Sequence, residues 1–140
     1  MKKAVVSMAA VLVMLAAFAV PSAQAGRNTG TASWGTIAIT GLPDQVLPGD
    51  TIVANAVFSL NRTGAARKLV SYELRIQSEN GQFRQTLRSG NRMMKTGVSK
   101  RGTFSQVVPD NTPAGNYQLV FGVVVDGELA YITHDVEVLR

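Results

Sequence analysis

Two hydropathy patterns divide the chain. From Ala4 to Val20 no residue is charged and only Ser7 carries a hydroxyl. Beyond Pro21 no helical period of 3.6 lasts more than a turn or two, and apolar and polar residues alternate instead. The alternation is cleanest over Val70–Gln77, where Val70, Tyr72, Leu74 and Ile76 interleave with Ser71, Glu73, Arg75 and Gln77. Successive side chains of a strand point to opposite faces, so this pattern predicts an antiparallel strand packed on one face and wet on the other. The same reading predicts strands near Trp34–Thr40 (Ile37 and Ile39 inward), Thr51–Leu60 (Ile52, Ala54, Ala56, Phe58 and Leu60 inward) and Phe83–Arg88 (Phe83 and Leu87 inward). Three more follow near Lys100–Val108 (Phe104 and Val108 inward), Tyr117–Val125 and Leu129–Leu139.

Turn residues separate these segments. Asn80-Gly81 offers the two positive-φ positions of a type I′ hairpin, and Asp126-Gly127 predicts a second tight hairpin. Gly41–Asp50 is a turn-rich connection, Asn61–Ala66 a loop, Ser89–Gly97 a long polar excursion, and Pro109–Asn116 a corner. Seven short strands joined by turns or short loops predict an all-β fold, a seven-stranded antiparallel Greek-key sandwich.

The apolar run at the N-terminus sets the destination. Lys2 and Lys3 precede it, Pro21 ends it, and Ala23-Gln24-Ala25 has the small-x-small form of a signal-peptidase site. The expected organisation is a helical signal peptide over residues 1–25, a flexible lead over 26–35 and the sandwich domain over 36–140. No cysteine is present, which closes the lipoprotein route and leaves the periplasm or the cell exterior as the expected address. The mature chain of 115 residues is long enough for one core, held by burial and strand pairing without disulfides.

The stretch from Val108 through Pro109, Asp110, Asn111, Thr112, Pro113, Ala114, Gly115 and Asn116 to Tyr117, followed by an alternating strand, resembles the E–F corner of bacterial immunoglobulin-like and fibronectin-type-III-like domains. The resemblance implies an immunoglobulin-like sandwich and gives Tyr117 the part of a tyrosine corner, its hydroxyl bonding to backbone just upstream. It covers these ten residues as a motif and most of Ile37–Val138 as a strand pattern. It says little about activity, because such sandwiches host many unrelated ones. The antibody hallmarks are missing: there is no cysteine pair, and Trp34 lies in the first strand.

Candidate chemistry is sparse. His134 is the one histidine, and its neighbour Asp135 points to the opposite face of the same strand, so no Ser-His-Asp arrangement forms around them. No Gly-x-Ser-x-Gly elbow and no phosphate-binding glycine loop occurs, and the acids fall mostly in turns or on wet strand faces. These features argue against an enzyme, and no cofactor is expected. Met93, Met94 and His134 are weak candidates for a copper site, since thioethers suit Cu(I) and imidazole suits either copper state. Two adjacent methionines and a distant histidine make a poor ligand set.

Charge changes the picture most. The chain has 14 basic and 9 acidic residues, and losing Lys2 and Lys3 leaves a net charge of +3. Half of the mature basic residues, namely Arg84, Arg88, Arg92, Lys95, Lys100 and Arg101, fall in an acid-free stretch. Arg84 and Arg88 are expected on one wet strand face, and the others on the following loop and the start of the next strand. Together they are the candidate binding surface for another envelope protein or an anionic polymer. The competing reading is edge protection, because edge strands commonly carry charge. Aromatic interleaving is limited to Phe83 and Phe104, both expected inward, which argues against nucleic acid. The expected function is that of a binding or envelope-assembly module, monomeric and without a membrane span once the leader is removed. The alternatives are a filament subunit and a small copper carrier.

Overall fold

The computed structural model describes residues 29–140, so the expected signal peptide and residues 26–28 lie outside the described residues. Nine strands follow in chain order: β1 (Thr29–Ala32), β2 (Gly35–Thr40), β3 (Gln45–Val46), β4 (Thr51–Leu60), β5 (Arg67–Ser78), β6 (Arg84–Lys95), β7 (Ser99–Val107), β8 (Gly115–Val125) and β9 (Glu128–Val138). The described residues contain no helix. One sheet has the order β1-β2-β4-β7 and the other the order β3-β9-β8-β5-β6. All neighbours are antiparallel except β3 and β9.

The inner faces of the two sheets share a core, which makes the fold all-β and sandwich-like. Ile37 and Ile39 of β2, Ala54, Ala56 and Phe58 of β4 and Phe104 of β7 pack with Val70 and Leu74 of β5, Phe121 and Val123 of β8 and Ile132 of β9. Ala54 and Ala56 leave room for rings: Phe121 lies 5.7 Å from Phe58 and 5.4 Å from Phe104, centroid to centroid. A second cluster around Val46, Ile52, Ile76, Val108, Tyr117 and Leu119 fills one end.

Two of the nine strands were not expected. β1 falls inside the anticipated lead, because its small polar residues show no alternation. Smallness is what the position requires: a Cβ on Gly30 would sit 2.6 Å from the Tyr131 carbonyl oxygen of the facing sheet. β3 has only two residues and buries only Val46, too short a segment to leave a periodic trace.

Three further expectations are corrected. The polar stretch Ser89–Gly97 is largely strand, since β6 pairs with β5 from Arg84 to Lys95. A register shift falls where Leu74 faces Arg88 and Arg75 faces Thr86, leaving Leu87 as the extra residue of a β-bulge. A shift of one residue exchanges the faces of a strand. Arg84 and Arg88 therefore stand on opposite faces, not on one. The Asn80-Gly81 turn is not type I′ either. Gly81 has φ +74° but Asn80 is not in the positive region, and residues 79–83 form a wider loop. Asn80 there spends its side chain on the Ser78 hydroxyl and the Gln82 N–H. Asp126 and Gly127, with φ of 54° and 77°, carry the two positive angles of a type I′ turn.

Candidate functional site: the open side between β6 and β7

β6 ends one sheet and β7 ends the other, and the two edges lie on the same side of the molecule. Residues directly opposite in an antiparallel pair share a face. Arg88 is opposite Leu74, Arg92 opposite Val70, and Lys100 opposite Phe58, and all three partners belong to the core. Three cations thus occupy inner-face positions, where the alternation of a sandwich strand calls for apolar residues. They are exposed and border a cleft of about 160 Å³.

Phe58, Tyr72 and Phe104 form the cleft floor, and Arg88, Arg92, Lys100 and Arg101 stand around it. Tyr72 lies 6.1 Å from Phe58 and 5.9 Å from Phe104, centroid to centroid. The Arg88 guanidinium carbon is 5.8 Å from the Phe104 centroid, a cation–π distance that steadies the side chain over the floor. Two glycines shape the walls. The Tyr72 hydroxyl lies 2.6 Å from where a Gly90 Cβ would be, so the ring is accommodated only because β6 has no side chain there. A Cβ on Gly102 would meet nothing within 4 Å, which leaves the cleft open above β7.

The ion pairs among the described residues are Lys68–Asp126, Arg75–Glu73 and His134–Asp44. None involves Arg84, Arg88, Arg92, Lys95, Lys100 or Arg101, so no internal carboxylate offsets the positive potential of the cleft. Such a site attracts a carboxylate or another oxyanion, and the aromatic floor offers an apolar surface to whatever bears it.

The six predicted basic residues are only partly united. Arg88, Arg92, Lys100 and Arg101 meet at the cleft. Lys95 lines an adjoining groove with Arg67, Arg92 and Lys100. Arg84 stands apart at the hairpin, its Nε donating to the Gly81 carbonyl at 3.3 Å. The copper candidates are scattered. Met94 is in the core, Met93 is 56% exposed on the other face, and β9, which carries His134, is separated from β6 by β8 and β5. Three strand spacings put them about 14 Å apart. The His134 Nε2 instead approaches the Pro43 carbonyl at 3.1 Å and an Asp44 carboxylate oxygen at 3.0 Å. No group of three or more His, Cys, Asp or Glu side chains is arranged for a metal among the described residues.

At the corner, the Tyr117 hydroxyl donates to the Pro113 carbonyl at 2.6 Å, and burial pushes its pKa up. Sequence reasoning missed the cleft floor and its glycines. Gly102 inside a strand was the available signal, since an interior glycine often marks a place where something approaches closely.

No family model matches the chain, and no curated protein matches it in sequence. Solved structures do resemble it in fold. A family 123 glycoside hydrolase from Clostridium perfringens superposes with a TM-score of 0.51 at 14% identity, covering 69% of this chain and 22% of that one. A β-glucosidase from Listeria innocua gives 0.54 at 13% identity, covering 74% of this chain and 16% of that one. The sporulation control protein Spo0M from Bacillus subtilis gives 0.50 at 14% identity, with 74% and 49% covered. The chain spans less than half the length of these proteins, and at such identities the likeness concerns the fold alone.

Proposed function

We propose that this chain is an exported, non-enzymatic binding module with an immunoglobulin-like Greek-key fold, recognising an anionic macromolecule through the basic cleft between β6 and β7. The observation that carries the reading is the placement of Arg88, Arg92 and Lys100 at inner-face positions around an aromatic floor, with no ion-pair partner. Inward-pointing charges on an edge strand also serve edge protection, but that role alone does not call for an aromatic floor beneath them. Charges placed where a core side chain belongs cost burial and call for a compensating role.

The strand order supports the fold assignment, with β4-β7 in one sheet and β8-β5 in the other, so that the chain crosses between sheets from β4 to β5, from β6 to β7 and from β7 to β8. The Tyr117–Pro113 bond is the contact a tyrosine corner makes. β9 pairs with β8 along its whole length, which supports a self-complete monomer over a filament subunit that borrows its last strand. The leader pattern supports export to the periplasm or beyond, where the partner is an envelope protein or an anionic polymer.

The experiment is crosslinking in the native envelope. It compares the unaltered protein with a variant carrying Arg88→Gln, Arg92→Gln, Lys100→Gln and Arg101→Gln. A partner captured by the unaltered protein and lost from the variant is the expected result. Identical captures would remove the cleft from consideration and return the cluster to edge protection.

A further inference from the structure

The open side carries a second unsatisfied feature, the backbone edge of β7. The Val98 carbonyl accepts from the Leu60 N–H at 3.1 Å, and the Val108 N–H donates to the Asp50 carbonyl at 2.8 Å. Antiparallel ladders alternate, so the backbone groups of Lys100, Gly102, Phe104 and Gln106 turn toward β4. Those of Arg101, Thr103 and Ser105 turn to the free edge. β7 ends its sheet, and no described strand pairs with it on that side.

The other edges are better protected than β7, whose only charges are Lys100 and Arg101 near its start. β1 has four residues and β3 two. β6 is long, but it is bulged at Leu87 and carries Arg84, Arg88, Arg92 and Lys95. Short, bulged or charged edges resist added strands. β7 pairs with β4 from Ser99 to Val107 without a register shift and contains no proline. Its inner face opens at Gly102 onto the cationic cleft.

We infer that β7 takes up an extended segment of a partner polypeptide as an added strand of the β1-β2-β4-β7 sheet, with one acidic side chain of that segment seated among Arg88, Arg92 and Lys100. This rests on the proposed anion-binding role and names the partner class. Backbone pairing along the edge supplies affinity, and alternate side chains facing the cleft supply specificity. The cleft, at about 160 Å³, is below the usual range for small-molecule pockets and suits a single side chain. Charge complementarity selects an acidic one, because Arg88, Arg92 and Lys100 stand there with no ion-paired acid. An anionic polysaccharide satisfies the cations but makes no use of the free N–H and C=O groups of β7.

The test uses the protein purified after export and an array of nine-residue peptides with randomised side chains. The expected result is enrichment of Asp or Glu at a single position of the bound peptides. Methylating the backbone nitrogens that face β7 in the best binder leaves its charge unchanged and lowers affinity at least tenfold. Gly102→Val, whose side chain points into open space within the cleft, lowers affinity to a similar degree while the melting midpoint is kept. Enrichment that follows total charge regardless of position, or undiminished binding of the methylated peptide, overturns the added strand but leaves anion binding standing. Binding of an oligogalacturonide in place of any peptide does the same and identifies a polysaccharide partner. Failure of peptides and oligogalacturonide alike contradicts both readings.

Discussion

Where β1 and β2 meet β9, the two sheets are fastened together. The Trp34 indole N–H donates to the Glu128 carbonyl at 2.9 Å, the Ser33 N–H donates to the Glu128 carboxylate at 2.6 Å, and the Ser33 hydroxyl bonds the same carboxylate. Gly30 lets β1 approach the Tyr131 carbonyl so closely that no Cβ fits between them. On the opposite side, no hydrogen bond or ion pair joins β6 to β7 among the described residues, and the cation–π contact of Arg88 with Phe104 spans the gap. Both are edges of the two sheets, yet one is sealed by specific bonds and the other carries unpaired cations and a glycine beside an open cleft. The bonds are concentrated on the first side and the proposed recognition on the second, so mutations should divide the same way.

Breaking the sealed side has the largest effect. Trp34 is buried and bridges the sheets, so Trp34→Ala should cost about 3–5 kcal/mol by chemical denaturation, as large core truncations do. Gly30→Val forces a side chain against backbone and should cost about 1–3 kcal/mol, the range for overpacking. Neither should alter which anions bind, provided the fraction folded is accounted for. Tyr117→Phe, at the corner away from both sides, should cost about 1 kcal/mol through its lost hydroxyl bond.

Acid sharpens the contrast. Hydrogen bonds from Ser33 hold the Glu128 carboxyl below its ordinary value. A depressed folded-state pKa contributes stability above the unfolded value of about 4.3 and loses it as pH falls through the lower folded one. Protection factors of the β1 amides, corrected for the intrinsic pH dependence of exchange, should therefore fall in acid, and Glu128→Gln should abolish that fall. On the open side, Arg92→Gln and Gly102→Val should shift stability by no more than about 0.5 kcal/mol, as surface changes do. Equal losses from the two sides would remove the division of labour.

Much of the fold was legible because burial writes itself into alternation. Val70, Leu74 and Ile76 were read as inward and are buried, as are Ile37, Ile39 and Phe104, but Ser71, Glu73 and Arg75, read as the wet face of the same strand, are buried as well. What escaped was structure without a hydrophobic signature. β1 is an edge of small residues, and the second half of β6 is an edge whose inner face carries cations, so neither shows a period. The bulge at Leu87 was hidden for a different reason: a single extra residue reverses every later assignment and leaves no mark in composition. The two glycine turns show the limit of dipeptide signals. Asp126-Gly127 joins strands at the closest spacing and takes both positive angles. Asn80-Gly81 belongs to a wider loop in which the asparagine side chain serves as an acceptor. The basic cluster was visible as charge, but its division among cleft, adjoining groove and hairpin depended on register.

The most direct test of the account is residue-resolved: backbone amide shifts of the protein titrated with polyglutamate at increasing salt. The account predicts perturbations confined to the β6–β7 side, around Arg88, Gly90, Arg92 and Lys100 to Phe104, that fade as salt screens the cations. Perturbations centred on the Arg84 hairpin or on the β1–β9 side, or none at low salt, would contradict it.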